Sequence, residues 1–311
     1  MQHRKMRDGL SEASQTKGLK RPSQTFSYFL VDNGSLRPEA VLELRQLAAG
    51  LSLYTGVKVE PVSLLHSDAV DPAHLEGKPA ETFVPALKKR LEAGFTDFIV
   101  LPLFFGPSAA VTQYLPRQAA VLKRSWPKLN VQIAPCLIDT TKTVENKGMV
   151  CLLHELVDAL PVVSERRHPA VILVDHGTPM RSVNAVREEM THQLAACLGD
   201  SVRCIAAASM ERRPGPAYAF NDPLLENLLG SGEFGQGDVV IALLFLFPGR
   251  HAGPGGDIER ICTQARSRCP RLRLHITAPV AHHPALPEVL AVRWHRFLHS
   301  GEAAFLRAEG V

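Results

Sequence analysis

The chain has 311 residues, with 35 basic and 31 acidic side chains and a formal charge of +4. An apolar share of 45% against 21% charged residues excludes a disordered, collagenous or coiled-coil chain. So slight a charge supplies no concentrated basic face for nucleic acid. At roughly 150 residues per domain, this length suggests about two domains with cores of their own.

Residues 1–25 open with MQHRKMRDGLSEASQTKG and are polar, basic and aperiodic. They read as a loose tail without the apolar stretch of a secretory signal. No uncharged apolar run approaches the ~18 residues of a membrane helix. The six cysteines include no CxxC pair, which argues against a zinc knuckle and for free thiols. Cys151, Cys197 and Cys262 lie in apolar helical runs and are expected to be buried. A reducing, cytoplasmic setting is the expectation.

From residue 26 the pattern becomes periodic. SYFLVDNG reads as a strand, PEAVLELRQLAAGLSLYTG as a helix, and VKVEPVSLL as a second strand. The helical ETFVPALKKRLEAG follows, with Lys88, Lys89 and Arg90 read as a solvated face. The apolar run FIVLPLFFG, a helix over 112–123 and the strand VQIAPCLI close the series. Strands alternating with helices of this length indicate βαβ units on a parallel sheet.

The series then repeats. YFLVDNGS returns as VILVDHGT, displaced by 143 residues (176 − 33). DFIVLPLFFGPSAA returns as DVVIALLFLFPGRHA, and VQIAPCLI as LHITAPVA, displaced by 144 (279 − 135). Displacement this constant indicates a duplicated domain. The expected organisation is a tail (1–25), an N-terminal α/β unit (26–163) and a C-terminal α/β unit (164–311). The fold class is α/β: two similar, doubly wound parallel-sheet lobes with a cleft between them.

Ligands of parallel sheets gather at the C-terminal ends of strands. In the second unit His176 follows VILVD, Glu211 follows CIAAASM, and His251 follows DVVIALLFLF in the loop PGRHAGPGGD. The intervals of 35 (211 − 176) and 40 (251 − 211) residues are about one βα unit each, so the three should converge on one mouth. Imidazole and carboxylate suit a borderline divalent metal. Each also has a plain structural reading: a loop histidine, or a solvated turn charge. The glycine run GPGG at 253–256 lacks the Lys-Ser/Thr of a phosphate loop, and nucleotide binding is discounted.

LVDHGT, FLFPGRHAGPGGDI and ITAPVAHHP together resemble the class II tetrapyrrole chelatases, the CbiX and SirB type of sirohydrochlorin cobalto- and ferrochelatases. The resemblance extends over 28–297. It implies ATP-independent insertion of Co²⁺ or Fe²⁺ into a tetrapyrrole held between two lobes, with the metal as substrate and no organic cofactor. It implies His176 and His251 as metal-contacting and catalytic residues, with Glu211 as a third, acidic catalytic residue. The expected substrate is rimmed by carboxylates, which Arg181, Arg212 and Arg250 could bind; Arg213 lies beside them. His282 and His283 read more readily as caps of the following helix than as metal ligands. A non-catalytic tetrapyrrole or metal carrier is the alternative, and an unrelated two-lobed binding protein a third. No nucleic-acid or membrane partner is expected, and a two-copy chain could complete its cleft as a monomer.

The first unit departs from the pattern. Asn33 stands where His176 should be, and gapless extension places Ala109 opposite His251. The carboxylate position is less clear, with His66 and Asp68 nearby. This unit is expected to shape the cleft without a metal site of its own; simple decay of a redundant copy explains the loss equally well.

Overall fold

The structure, a computed structural model, describes residues 26–299. The expected tail (1–25) and the end of the C-terminal unit (300–311) lie outside the described residues.

Two four-stranded parallel sheets are present. The first contains β1 (Phe26–Asp32), β2 (Val59–Ser63), β3 (Asp97–Pro102) and β4 (Asn130–Ile133) in the order β2-β1-β3-β4. The second contains β5 (Ala170–Asp175), β6 (Cys204–Ser209), β7 (Gly237–Leu243) and β8 (Leu272–Ile276) in the order β6-β5-β7-β8. The central strands read as near-continuous apolar runs because both of their faces are covered. In β5, Val171 and Leu173 face one core while Ala170, Ile172 and Val174 face another. The two-lobed α/β architecture is therefore as the periodicity implied.

The longer helices are α1 (Pro38–Thr55), α2 (Phe83–Glu92), α3 (Leu115–Lys123), α4 (Lys147–Asp158), α5 (Arg181–Leu198), α6 (Asp257–Arg268) and α7 (Leu286–His299). Helix α1 starts with Pro38 in its first turn and ends at Gly56, whose φ of +69° closes it in the left-handed region. Helices α2 and α3 cover the outer face of the first sheet, and α6 that of the second. Helices α1, α4, α5 and α7 fill the layer between the sheets and share one core with both.

In that shared layer the covalent repeats are not the packing units. Helix α7, from the second repeat, lies along α1 of the first, whereas α4 packs on α5 and β7. Gly50 and Gly148 permit the approach: a β-carbon there would stand 3.1 Å from Pro287 and 3.0 Å from Val289. The exchange ties the lobes together through hydrocarbon. At the strand ends, a β-carbon on Gly106 would stand 2.7 Å from Val186 of α5, and His282 Nε2 reaches Glu43 of α1 at 3.0 Å. The loops after β3 and β8 thus each meet a helix of the other lobe.

Two local expectations are corrected. Arg90 is not a solvated charge: it packs half-buried between Glu60 (2.5 Å) and Glu81 (2.8 Å), which order its guanidinium. Cys197 is exposed and Cys151 half-buried, while Cys262 is buried; all six thiols are free. Among the described residues, no helix is long and apolar enough to cross a membrane.

Candidate functional site

The order β6-β5-β7-β8 makes β5 and β7 the neighbours at which the chain reverses its direction of strand addition. Crevices at the carboxyl ends of such strands are where open α/β sheets bind ligands. His176 leaves the end of β5, and His251 lies in the loop that follows β7. Their rings meet edge to face, with centroids 4.6 Å apart and planes at 72°. Residues 75 apart in sequence (251 − 176) thus form one pair.

Glu211 joins them, and the reason lies in the backbone. Gly177 has φ +92°, and a β-carbon on it would stand 1.8 Å from the Glu211 carbonyl oxygen. The missing side chain lets the β5 and β6 exits touch, and the Glu211 N–H donates to the His176 carbonyl at 3.1 Å. Glu211 Oε1 then lies 3.4 Å from His176 Nε2. Both side chains are solvent-accessible (47% and 61%), so the site is an open mouth and not a closed cavity. Among the described residues, no three His, Cys, Asp or Glu side chains gather closely enough to hold a metal ion by themselves.

His251 is fixed from behind. The glycine-rich loop folds back on itself through Gly253 N–H to the Gly249 carbonyl and Ile258 N–H to the His251 carbonyl. This brings Asp257, the first residue of α6, to 2.5 Å from His251 Nδ1. The hydrogen bond with His251, and secondarily Arg260, holds the Asp257 carboxyl below the usual carboxylate range. A carboxylate on Nδ1 leaves Nε2 as the outward-facing ring nitrogen.

Beneath the histidines lies a buried polar framework. Asp175, the last residue of β5, accepts from Gly177 N–H (3.1 Å) and Ser209 Oγ (2.8 Å). The fully buried Arg187 of α5 bonds Ser209 Oγ and the Asn221 carbonyl, with Asp175 at 3.6 Å. Burial raises the Asp175 pKa, while Arg187 opposes the rise. Asn221 clamps the β5 exit by accepting from Thr178 N–H and donating to the Thr178 carbonyl, each at 2.9 Å.

The arginines around the mouth are arranged unequally. Arg181 stacks 4.7 Å over Phe220, and Arg213 lies 5.8 Å over Tyr218. Arg212 pairs with Asp222 at 2.9 Å. Arg250 is exposed beside His251. His282 and His283 stand apart from the histidine pair: His283 Nδ1 accepts from Ala285 N–H just before α7, as a cap, and its Nε2 lies 3.1 Å from Glu155.

Three contributors escaped the sequence reading: Asp257, Arg187 and Asn221. Asp257 belongs to the motif FLFPGRHAGPGGDI, but spacing alone does not reveal its contact with the imidazole. Arg187 carries a signal, because this charge stands on the helix face that buries Val186, Met190 and Leu194.

Strand register settles the counterparts in the first lobe. Tyr28 pairs with Val59 and Ile99, as Val171 pairs with Ile205 and Val240. The displacements are 146 for β2 and β6 (205 − 59) and 141 for β3 and β7 (240 − 99). Leu65, and not His66 or Asp68, therefore answers Glu211 (211 − 146). Gly34 confirms it, since a β-carbon there would lie 1.8 Å from the Leu65 carbonyl. Ala110, in place of Ala109, answers His251 (251 − 141). Asn33, Leu65 and Ala110 offer no imidazole and no carboxylate.

Comparison with known proteins matches the two-lobed fold. The structure of SirB from Bacillus subtilis with Fe³⁺ superposes with a TM-score of 0.65 at 16% identity, over 91% of this chain and 99% of that one. A cobalt complex of the sirohydrochlorin chelatase SirB from Bacillus subtilis subspecies spizizenii gives 0.65 at 14%, with the same coverage. The structure of CbiX, the terminal enzyme for siroheme biosynthesis in denitrifying bacteria, gives 0.53 at 15%, over 86% and 98%. Curated protein sequences return no match. The CbiX family profile matches residues 27–145 and 170–296, one segment in each repeat, and the chain belongs to the CbiX family.

Proposed function

We propose that the protein is a cytoplasmic, ATP-independent chelatase that inserts Co²⁺ or Fe²⁺ into sirohydrochlorin or a closely related tetrapyrrole, in cobalamin or siroheme biosynthesis. The observation that carries this reading is the edge-to-face pair of His176 and His251 at a strand-end mouth, in a chain of the CbiX family.

Metallation exchanges two pyrrole N–H protons for one divalent cation. It needs ligands that hold the ion loosely and bases that accept protons near neutral pH, and imidazole suits both tasks. His251, oriented through Asp257, presents Nε2 to the incoming metal; His176 supplies the second imidazole. Glu211 attracts the cation and takes protons from His176. An incomplete ligand set suits an ion that is passed on rather than kept. Arg181, Arg212 and Arg250 meet the substrate's carboxylates; Arg250 is the readiest, because Arg212 must first part from Asp222. The first lobe faces the other side of the macrocycle with the exposed Leu36 and Leu65 (66% and 42%), so metal enters from the histidine side. Six free thiols are in keeping with a reducing compartment.

The test is anaerobic mixing of sirohydrochlorin with Co²⁺ or Fe²⁺, followed by visible absorption. Many metallations per chain are expected, with His251→Ala at least about a hundredfold slower. Saturation at one equivalent would replace the enzyme with a carrier, a reading favoured by the loss of all three site residues from the first lobe.

A further inference from the structure

Away from the histidines, a cavity of about 340 Å³ lies between α7 and the ends of β3 and β4. Leu30, Leu101, Leu290 and Phe297 give it hydrocarbon walls, and Arg293, Arg296, His299 and Glu145 reach into its lining. None of these residues belongs to the mouth between β5 and β7. Its volume lies within the range of about 300–1,000 Å³ common for small-molecule pockets.

Arg293 is the unusual feature. A guanidinium carries five N–H donors, yet among the described residues Arg293 has one hydrogen-bond acceptor, the Cys136 carbonyl. Burial pulls its pKa down, and Glu145 only partly offsets this. A largely buried cation is costly unless it is paired. Arg293 thus brings unfilled N–H donors to an apolar chamber whose other charged lining residues, the exposed Arg296 and the half-buried Glu145, offset one another.

We propose that this cavity binds an amphipathic monocarboxylate, its head group on Arg293 and its hydrocarbon against Leu30, Leu101 and Phe297. One carboxylate matches the unfilled donors of Arg293 and the fork geometry of guanidinium. The site joins a sheet of the first lobe to a helix of the second repeat, so occupancy also stabilises the joint between the halves.

Calorimetric titration of the full-length chain with octanoate, beside 1-octanol, tests this. Octanoate is expected to bind at one per chain and about tenfold more tightly than the alcohol, the effect of one charge-assisted pair. Arg293→Met should remove that preference, and Ala134→Phe, which fills the chamber, should abolish binding while leaving metallation unchanged. If Arg293→Met does not fold, the alcohol comparison and Ala134→Phe decide. Absence of saturable octanoate binding, equal binding of the alcohol, or unchanged binding by Ala134→Phe would each overturn the proposal.

Discussion

The carbonyl oxygen of Glu211 occupies the space, 1.8 Å away, where residue 177 would carry a β-carbon. The contact fixes the spacing of His176 and Glu211 through the main chain, before any side-chain interaction forms. Gly177→Ala must therefore separate the β5 and β6 exits and also strain a φ of +92°. A loss of about 2 kcal/mol or more is expected in urea denaturation. Gly56→Ala, at φ +69° with open space around it, should cost about 1 kcal/mol. Equal losses would refute the steric account.

If His251 ligates the metal as proposed, Asp257 acts on that metal through it. Asp257→Asn keeps the shape but substitutes a neutral partner for the carboxylate 2.5 Å from Nδ1. Loss of such a carboxylate behind a ligating histidine lowers metal affinity by about 10–100-fold. Titration with Co²⁺, followed by d–d absorption, should show this weakening with little change in melting temperature. A variant that melts earlier but binds Co²⁺ normally would make Asp257 a structural residue alone.

The strands and the duplication were legible because β1, β3, β5 and β7 are buried on both faces and their apolar runs stand out at a near-constant displacement. The displacement is not uniform, however: 143 residues separate β1 from β5 in register, 146 separate β2 from β6, and 141 separate β3 from β7. Unequal loops cause the drift, so gapless extension reached Ala109 and left the counterpart of Glu211 open. Arg187 and Asp257 were hidden for another reason. Arg187 works through Ser209 and Asn221, 22 and 34 residues away, and Asp257 depends on how a glycine-rich loop folds back. Neither relation leaves a periodicity. The exchange of α4 and α7 between lobes is likewise a tertiary fact that two similar halves do not announce.

Leu65 tests the division of labour between lobes. As the counterpart of Glu211 it offers hydrocarbon where the second lobe offers charge. If the macrocycle rests against it, Leu65→Asp should raise the KM for sirohydrochlorin about fivefold, the equivalent of about 1 kcal/mol of lost apolar contact. Co²⁺ affinity should remain unchanged, since the histidines are untouched. A normal KM would remove the first lobe from substrate contact.

Asp32 shows what the first lobe lost, and its consequence depends on pH. It is the counterpart of Asp175, but the position of Arg187 is taken by Leu44 (187 − 143), which is buried. Asp32 is itself buried, its Oδ1 has no hydrogen-bond partner, and burial pushes its pKa from 3.8 to about 6. The folded chain therefore holds this proton more tightly than the unfolded chain does. The associated stability is complete below pH 3.8 and is lost as pH rises through about 6. Asp32→Asn should match the wild type near pH 3.5 and gain progressively above pH 4. Above pH 6.5 the gain should level off at about 3 kcal/mol, at 1.36 kcal/mol per unit. Urea denaturation of both proteins at several pH values measures the difference directly, and other titrating groups cancel in the comparison. A constant difference across pH 4–7 would mean that Asp32 finds compensation on folding, and the missing arginine would then carry no energetic consequence.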